Sequence, residues 1–380
     1  MLNPLTAPTT DQERVRRDIM RAAAMAANTA APLDVLDPRG MIFDRDRSGR
    51  WTLRVRGAER QLVFDLGDHT QPWLNANGRS WTLIRIEDDD QLPGRHLLDD
   101  EEALSTLVGR AGPLRTSVVT FRRSRRAVLR VESRGQEAPT YVKLLNKKSY
   151  HKAMLAFSHA ADSGLDCIAQ PRLRSPELCA LLFDEVEGAA LHDRLWAGER
   201  ISYDLIARGI RDLSHADSNS DLPVRDLTTE RDSAVRSIRT ATDFLPELEE
   251  LIAPLEALAI PELPTGGVIH GDLHDKQIFL SGESVRLIDA ESLANGSALI
   301  DATNLAEHLR LRGFQGCATA PKSAARLLTR LGLDADDEVV RLSRALVRAR
   351  LAGVYARRPW WWGVAHGMAR EARDFLEERS

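Results

Sequence analysis

The segment IHGDLHDKQIFL at 269–280, followed by LIDAE at 287–291, restricts what this chain can fold into more than any other stretch. His, Asp and Lys residues crowd between two apolar runs, and the next apolar run ends on two carboxylates. Polar groups clamped between strand-like segments are costly unless they are paired or in use. The runs on either side of the Ser-Gly-Glu turn at 281–283 read as a β-hairpin, which returns Asp289 to the loop that carries Asp272. Strand alternation then puts Glu291 on the same face as Asp289. A loop carboxylate such as Asp272 can accept the proton of a hydroxyl attacking a phosphoryl group, or orient it. Gln277, five residues on, can return to the same place and offer its side-chain carbonyl to a hard cation such as Mg²⁺. Two hard oxygen ligands, Gln277 and Asp289, together with a base are the parts of a magnesium–nucleotide phosphoryl-transfer site.

Such a site needs a large scaffold, and 380 residues suggest two or three domains. Hydrophobic content of 43% and charged content of 28% are those of an ordinary globular protein. The formal charge of −4 argues against a nucleic-acid partner, which calls for a basic excess or a concentrated basic face. Cys167, Cys179 and Cys317 show no paired spacing, so a reducing, cytoplasmic setting is expected. No apolar run is long enough to span a membrane. The basic-then-alanine stretch at 14–31 imitates a signal peptide, but Asp11, Glu13 and Asp18 favour a surface helix over 10–29, capped by Thr10 or Asp11.

After that helix, RWTLRVRG, RQLVFDLG and RSWTLIRIED alternate apolar and polar residues between turns, predicting a small antiparallel sheet. A helix with acids in its first turn follows over 97–110, and Gly112-Pro113 marks the end of an N-terminal α+β module, 1–112. Residues 113–188 then predict five strands with one helix, 147–163, between the third and fourth. From 189 to 380 the chain is mostly helical apart from the opening motif, with 214–230 its most loop-like stretch.

HGDLHDKQ followed by LIDAE resembles the aminoglycoside phosphotransferase and choline-kinase family, small-molecule relatives of protein kinases. YVKLL is similar to that family's strand with the nucleotide-phosphate lysine, here Lys143. LLFDEVEG resembles its hinge strand, implying adenine contacts near Glu185 and Val186. NGSALIDATNLAEHLRL resembles the segment after the metal aspartate and places Asp301 at a structural position. The resemblance covers 116–312 well, 313–380 only as generic helices, and 1–112 not at all. It implies an α+β, bilobal, protein-kinase-like fold with a five-stranded first lobe, a helical second lobe and the N-terminal module added. It implies transfer of the γ-phosphoryl group of ATP, or of GTP, to a hydroxyl of a small molecule. Asp272 would then be the catalytic base, Gln277 and Asp289 the Mg²⁺ ligands and Lys143 the phosphate partner. Glu291 would complete a second metal site or line the acceptor pocket, and His270 would brace the loop.

Three features depart from the family pattern. Gln277 stands where most members have Asn; the maltokinase and glucosamine-kinase branch is similar here. No glycine-rich loop covers the phosphates: the first hairpin turn is RRSRR (122–126), whose Arg123 and Arg126 either meet phosphate oxygens or stay solvated. The helix over 147–163 holds no Glu to pair with Lys143, only Asp162 at its far end. These departures feed an alternative, a pseudokinase that binds a nucleotide or a partner without turnover. His274 and Asp275 are candidate acceptor contacts. The tryptophans in PWWW (359–362) form either a stacking platform or an interdomain seam.

Overall fold

The computed structural model of the chain describes residues 17, 37–45, 51–56, 61–67, 82–110, 112–133, 138–264 and 266–378. Apart from Arg17, which is helical, the helix expected over 10–29 and its signal-like stretch lie outside the described residues. Strands β1 (Asp37–Arg45), β2 (Trp51–Arg56), β3 (Gln61–Gly67) and β4 (Thr82–Ile84) form an antiparallel sheet in sequence order. β1 has no counterpart among the expected strands. Its Asp-Pro-Arg-Gly start is written in turn residues, and its pairing with β2 shifts register between Asp37 and Ile42. Helix α1 (Glu101–Val108) starts where Asp100 accepts a hydrogen bond from the Ala103 amide, and Gly109 in a left-handed conformation closes it.

β5 (Leu114–Arg122), β6 (Arg126–Ser133), β7 (Thr140–Leu145), β8 (Leu173–Ser175) and β9 (Ala180–Asp184) form the expected five-stranded sheet, ordered β5-β6-β7-β9-β8 and antiparallel throughout. Helix α2 (Lys147–Asp162) lies between β7 and β8 in sequence, capped by the Asn146 side chain. Alternation along β7 decides what each side chain meets. Val142 and Leu144 pack on Leu92, Leu97 and Leu104 of the N-terminal module, whereas Leu145 joins Tyr150 and Phe157 of α2 in the core shared with the helical lobe. Each such aliphatic side chain contributes about 1.5–3 kcal/mol on burial. Lys143, between them, points away from the apolar cover.

The second lobe is built from α3 (Leu191–Trp196), α4 (Tyr203–His215), α5 (Leu227–Ala241), α6 (Ile252–Ala257), α7 (Ala298–Phe314), α8 (Ala320–Leu331), α9 (Glu338–Ala356) and α10 (Trp362–Glu377). Two small sheets thread through it. β10 (Ala189–Ala190) pairs with β13 (Ile278–Ser281), which pairs with β14 (Ser284–Leu287). β11 (Val224–Arg225) lies parallel to β15 (Ala294–Gly296), which pairs with β12 (Gly267–Ile269). The stretch 214–230, expected to be loop-like, is therefore tied down. The Asn295 side chain accepts from the Asn219 amide at 3.0 Å and donates to the Asn219 carbonyl at 2.7 Å. The run expected as one helix after 336 is split near Arg357, because Pro359 cannot continue it.

The N-terminal sheet packs on the helical lobe. Phe43 and Trp51 meet Phe244 at ring-centroid distances of 5.3 and 5.2 Å, inside a core with Leu227, Ile238 and Leu346. The Asp44 carboxylate pairs with Arg54 of its own sheet, Arg122 of the five-stranded sheet at 3.8 Å and Arg357 of the helical lobe at 3.0 Å. The tryptophan run lies at this seam: the buried Trp362 donates to the Ala356 carbonyl at 2.6 Å, and Trp361 to the Arg39 carbonyl at 3.1 Å. Cys167, Cys179 and Cys317 are buried and unbonded to one another. No helix among the described residues is long and apolar enough to cross a membrane.

Candidate active site

The loop after β12 is held from behind by α7. Asp301, buried in that helix's first turn, accepts from the backbone amides of His270 at 2.6 Å and Gly271 at 2.9 Å. Burial pushes its carboxyl above the usual range, against the pull of His270 and the two amides. Gly271 adopts φ 81°, and a Cβ there would stand 2.4 Å from the Ser292 carbonyl oxygen, so only glycine lets the loop pass this close to the turn after β14. The His270 ring donates from Nε2 to the Ile288 carbonyl at 2.9 Å, and Asn304 of α7 donates to the Leu273 carbonyl at 2.9 Å. Through these bonds His270 braces the loop against the strand that delivers Asp289.

Asp275 is taken up in the interior of the helical lobe. It is fully buried, bridged by Arg312 through Nε at 2.8 Å and Nη2 at 2.9 Å, with His192 Nδ1 at 2.6 Å. Burial alone would raise its carboxyl, but Arg312 and His192 hold it well below the usual range. This pairing is a structural joint, so the acceptor contact anticipated for Asp275 is not where the structure puts it. His274 stacks near His308 with centroids 5.0 Å apart, and burial lowers its ring's basicity.

Gln277 is 5% exposed, and its side-chain oxygen accepts from the His274 amide at 3.1 Å, closing a one-turn 3-10 segment. β13 leads out of that turn, and β14 returns to Asp289, which sits in the left-handed region at φ 61°. A non-glycine residue held there stores about 1–3 kcal/mol. Residues 290–292 then form another one-turn 3-10 segment, so it is this bend and not strand alternation that swings Glu291 back.

Both carboxylates meet Lys143. Its ammonium donates to Asp289 Oδ1 at 2.6 Å and to Glu291 Oε1. Burial works against the lysine's charge, yet Glu291 and then Asp289 more than offset it and raise the ammonium's pKa. Burial likewise opposes the Asp289 charge, while Lys143 and Arg126 hold that carboxyl well below its usual range. The acid missing from α2 is thus replaced from the bend after β14.

Of Arg123 and Arg126, the two candidates from the basic turn, Arg126 joins this group. β6 sets Val128 opposite Lys143 and Arg126 opposite Leu145, so Arg126 shares the Lys143 face; its buried Nε has no hydrogen-bond partner among the described residues. Arg123 pairs with Asp65 of β3 at 2.7 Å. The turn between them is pinned by the Ser124 amide to Asp89 at 2.7 Å and by Asn146 to the Ser124 carbonyl at 2.7 Å. Glu185 and Val186 follow β9 and line an open cavity of about 530 Å³ with the end of α2 and with Ser284 and Arg286. Neither Lys143 nor Asp289 lines that cavity.

Two cations near Asp272 escaped the reading of the sequence. Lys152 of α2 feels the charges of Arg225, Glu291 and Asp272. Arg225 of β11 pairs with the buried Glu230 at 2.5 Å, feels the charge of Asp272, and has Nη1 3.6 Å from where a Gly271 Cβ would stand. A basic residue nine positions after Lys143 was the available signal for Lys152; nothing local marks Arg225. Among the described residues no three His, Cys, Asp or Glu side chains are grouped to hold a metal by themselves.

No family model matches the sequence, and no curated protein matches it. Solved structures similar to the chain include a choline/ethanolamine kinase family protein from Mesorhizobium loti, at 16% identity over 73% of this chain and 94% of that one, with a TM-score of 0.46. Another is the choline kinase LicA of Streptococcus pneumoniae, at 11% identity over 74% and 99%, TM-score 0.48. A third is the aminoglycoside phosphotransferase APH(3'')-Id of Streptomyces rimosus, at 18% identity over 66% and 98%, TM-score 0.44. At such identities and scores the likeness carries no function over to this chain.

Proposed function

We propose that the chain is a small-molecule kinase that transfers the γ-phosphoryl group of ATP to a hydroxyl of a small acceptor. The observation that carries this reading is the meeting of Lys143 with Asp289 and Glu291 beside a loop whose backbone Asp301 holds in place. Lys143 and Arg126 would neutralise phosphate oxygens, and Asp272 would align the acceptor hydroxyl and take its proton. The new bond joins the acceptor oxygen to the γ-phosphorus, while the bond to the bridging oxygen breaks and leaves ADP. Little covalent chemistry falls to the protein, so positioning and charge dominate.

The donor set suits magnesium, because that ion is usually held by one or two carboxylates and by substrate phosphates and not by an all-protein cage. Asp289 and Gln277 would hold it, with Glu291 a further oxygen; the ion supplies charge neutralisation at the phosphates. The Gln277 carbonyl has a second lone pair beyond the one its His274 bond uses. Asp289 must give up its Lys143 contact if Oδ1 is the oxygen that meets the ion. That need also supports a second reading, a pseudokinase in which the lysine and the two acids stay locked together.

ADP release measured with ATP and Mg²⁺ over a panel of aminoglycosides, hexosamines and maltose separates the two. A small-molecule kinase turns over one of these acceptors and loses ~10²–10⁴-fold in Asp272→Asn. Saturable nucleotide binding with no turnover that depends on Asp272 would leave the pseudokinase.

A further inference from the structure

We propose that a cavity behind the catalytic hairpin is a second binding site, for a small phosphorylated molecule that also carries an apolar or aromatic part. The cavity measures about 860 Å³ and opens between the 200–205 stretch, Gly282 at the tip of the β13–β14 hairpin, and α8. That volume lies within the roughly 300–1,000 Å³ typical of small-molecule pockets.

Its charge is lopsided. Arg194, Arg200, Arg326 and Arg330 line it, in a chain whose overall charge is −4. The acids nearby answer only two of the four. Asp204, which also lines the cavity, lies 3.4 Å from Arg330, and the exposed Glu199 lies 3.6 Å from Arg194. Arg200 and Arg326 have no ion pair among the described residues. Arg194 spends one guanidinium nitrogen on the Leu280 carbonyl at 2.9 Å. Guanidinium forks match phosphate oxygens in pairs, and four arginines lining one cavity, two of them without an ion pair among the described residues, favour an anion of more than one oxygen. Leu205, Leu280 and Tyr203 also line the cavity and offer the rest of the molecule an apolar surface. A concave site of this size fits a small molecule better than a nucleic acid or a lipid surface, each of which spreads its contacts over an open face.

The place is distinct from the cleft. The lining reaches the opposite end of the hairpin from Gln277 and Asp289, and contains none of the residues gathered at Lys143. Binding here therefore stands whether or not the chain is a kinase.

The test is calorimetric titration of the full-length protein with phenyl phosphate and with inorganic phosphate at low salt. Phenyl phosphate is expected to bind saturably at one molecule per chain and more tightly than inorganic phosphate. The Arg200→Ala/Arg326→Ala double variant, whose exposed side chains leave folding intact by thermal melt, is expected to weaken it at least ~10-fold. Lys143→Met is expected to leave it within about twofold. The proposal is overturned by the absence of saturable binding, or by equal affinity in the double variant. Loss of binding in Lys143→Met, which would put the anion in the nucleotide cleft, also overturns it. So does binding confined to RNA or to anionic vesicles.

Discussion

Lys143 reaches two carboxylates that arrive from one bend after β14, and this pairing governs what single substitutions at the site will do. Glu291 is the more buried of the two, at 16% side-chain exposure against 36% for Asp289, so it can keep the lysine in place while Asp289 moves to a metal-bound nucleotide. Removing one hydrogen bond to a charged group costs about 1.5–3 kcal/mol. Glu291→Ala is therefore expected to raise the KM for ATP ~10–100-fold with a smaller fall in kcat, measured by steady-state ADP release. An unchanged KM would mean that Asp289 alone orients the lysine. The letters of 269–291 and YVKLL were enough to single out Asp289 and Lys143, which the structure brings together. They could not show that Lys143 and Glu291 touch, because the bond joins positions 148 apart in sequence and depends on a one-turn bend that no local residue preference announces. Arg123 illustrates the reverse limit: the letters mark a cation, but its partner Asp65 comes from the N-terminal sheet.

Among the elements, α3, the loop before β13, and α7 are joined through one buried carboxylate. Asp275 holds His192 of α3 and a bidentate Arg312 of α7, and Arg312 in turn donates to the Tyr355 hydroxyl of α9 at 3.1 Å. Breaking a buried pair by removing one partner costs about 3–5 kcal/mol, since the other charge is left uncompensated. Asp275→Asn is expected to lower stability by about that much in urea unfolding, and His192→Ala by less. The sign with pH follows from the depressed carboxyl: the stabilisation is full above the unfolded value near 4 and is lost as pH falls through the folded one. Asp275→Asn should therefore flatten the loss of stability below about pH 4. At this scale hydrophobic periodicity made the five-stranded sheet and most helices readable. β1 stayed hidden behind its Pro and Gly; 216–223 is the loop that the letters suggest, but its fastening was not legible because the Asn295 side chain that holds it comes from far along the chain.

For the whole molecule, the N-terminal sheet is the element whose role the chain's own letters least disclose. It buries Phe43, Trp51 and Phe64 against the helical lobe, while the segment 86–108 covers the five-stranded sheet, so the same module grips both lobes. Asp44 stands where these surfaces meet, with burial opposing its charge and Arg54, Arg122 and Arg357 holding it well below the ordinary carboxylate range. A module fastened this way cannot melt separately, because unfolding it exposes the apolar face of α5 and the core around Phe244. Calorimetry of the full chain is therefore expected to give one cooperative transition. Trp51→Ala is expected to move that whole transition downward, with a cost of about 3–5 kcal/mol for the lost aromatic. Two resolved transitions, with Trp51→Ala shifting only one, would show instead that residues 1–112 fold and melt as an independent unit.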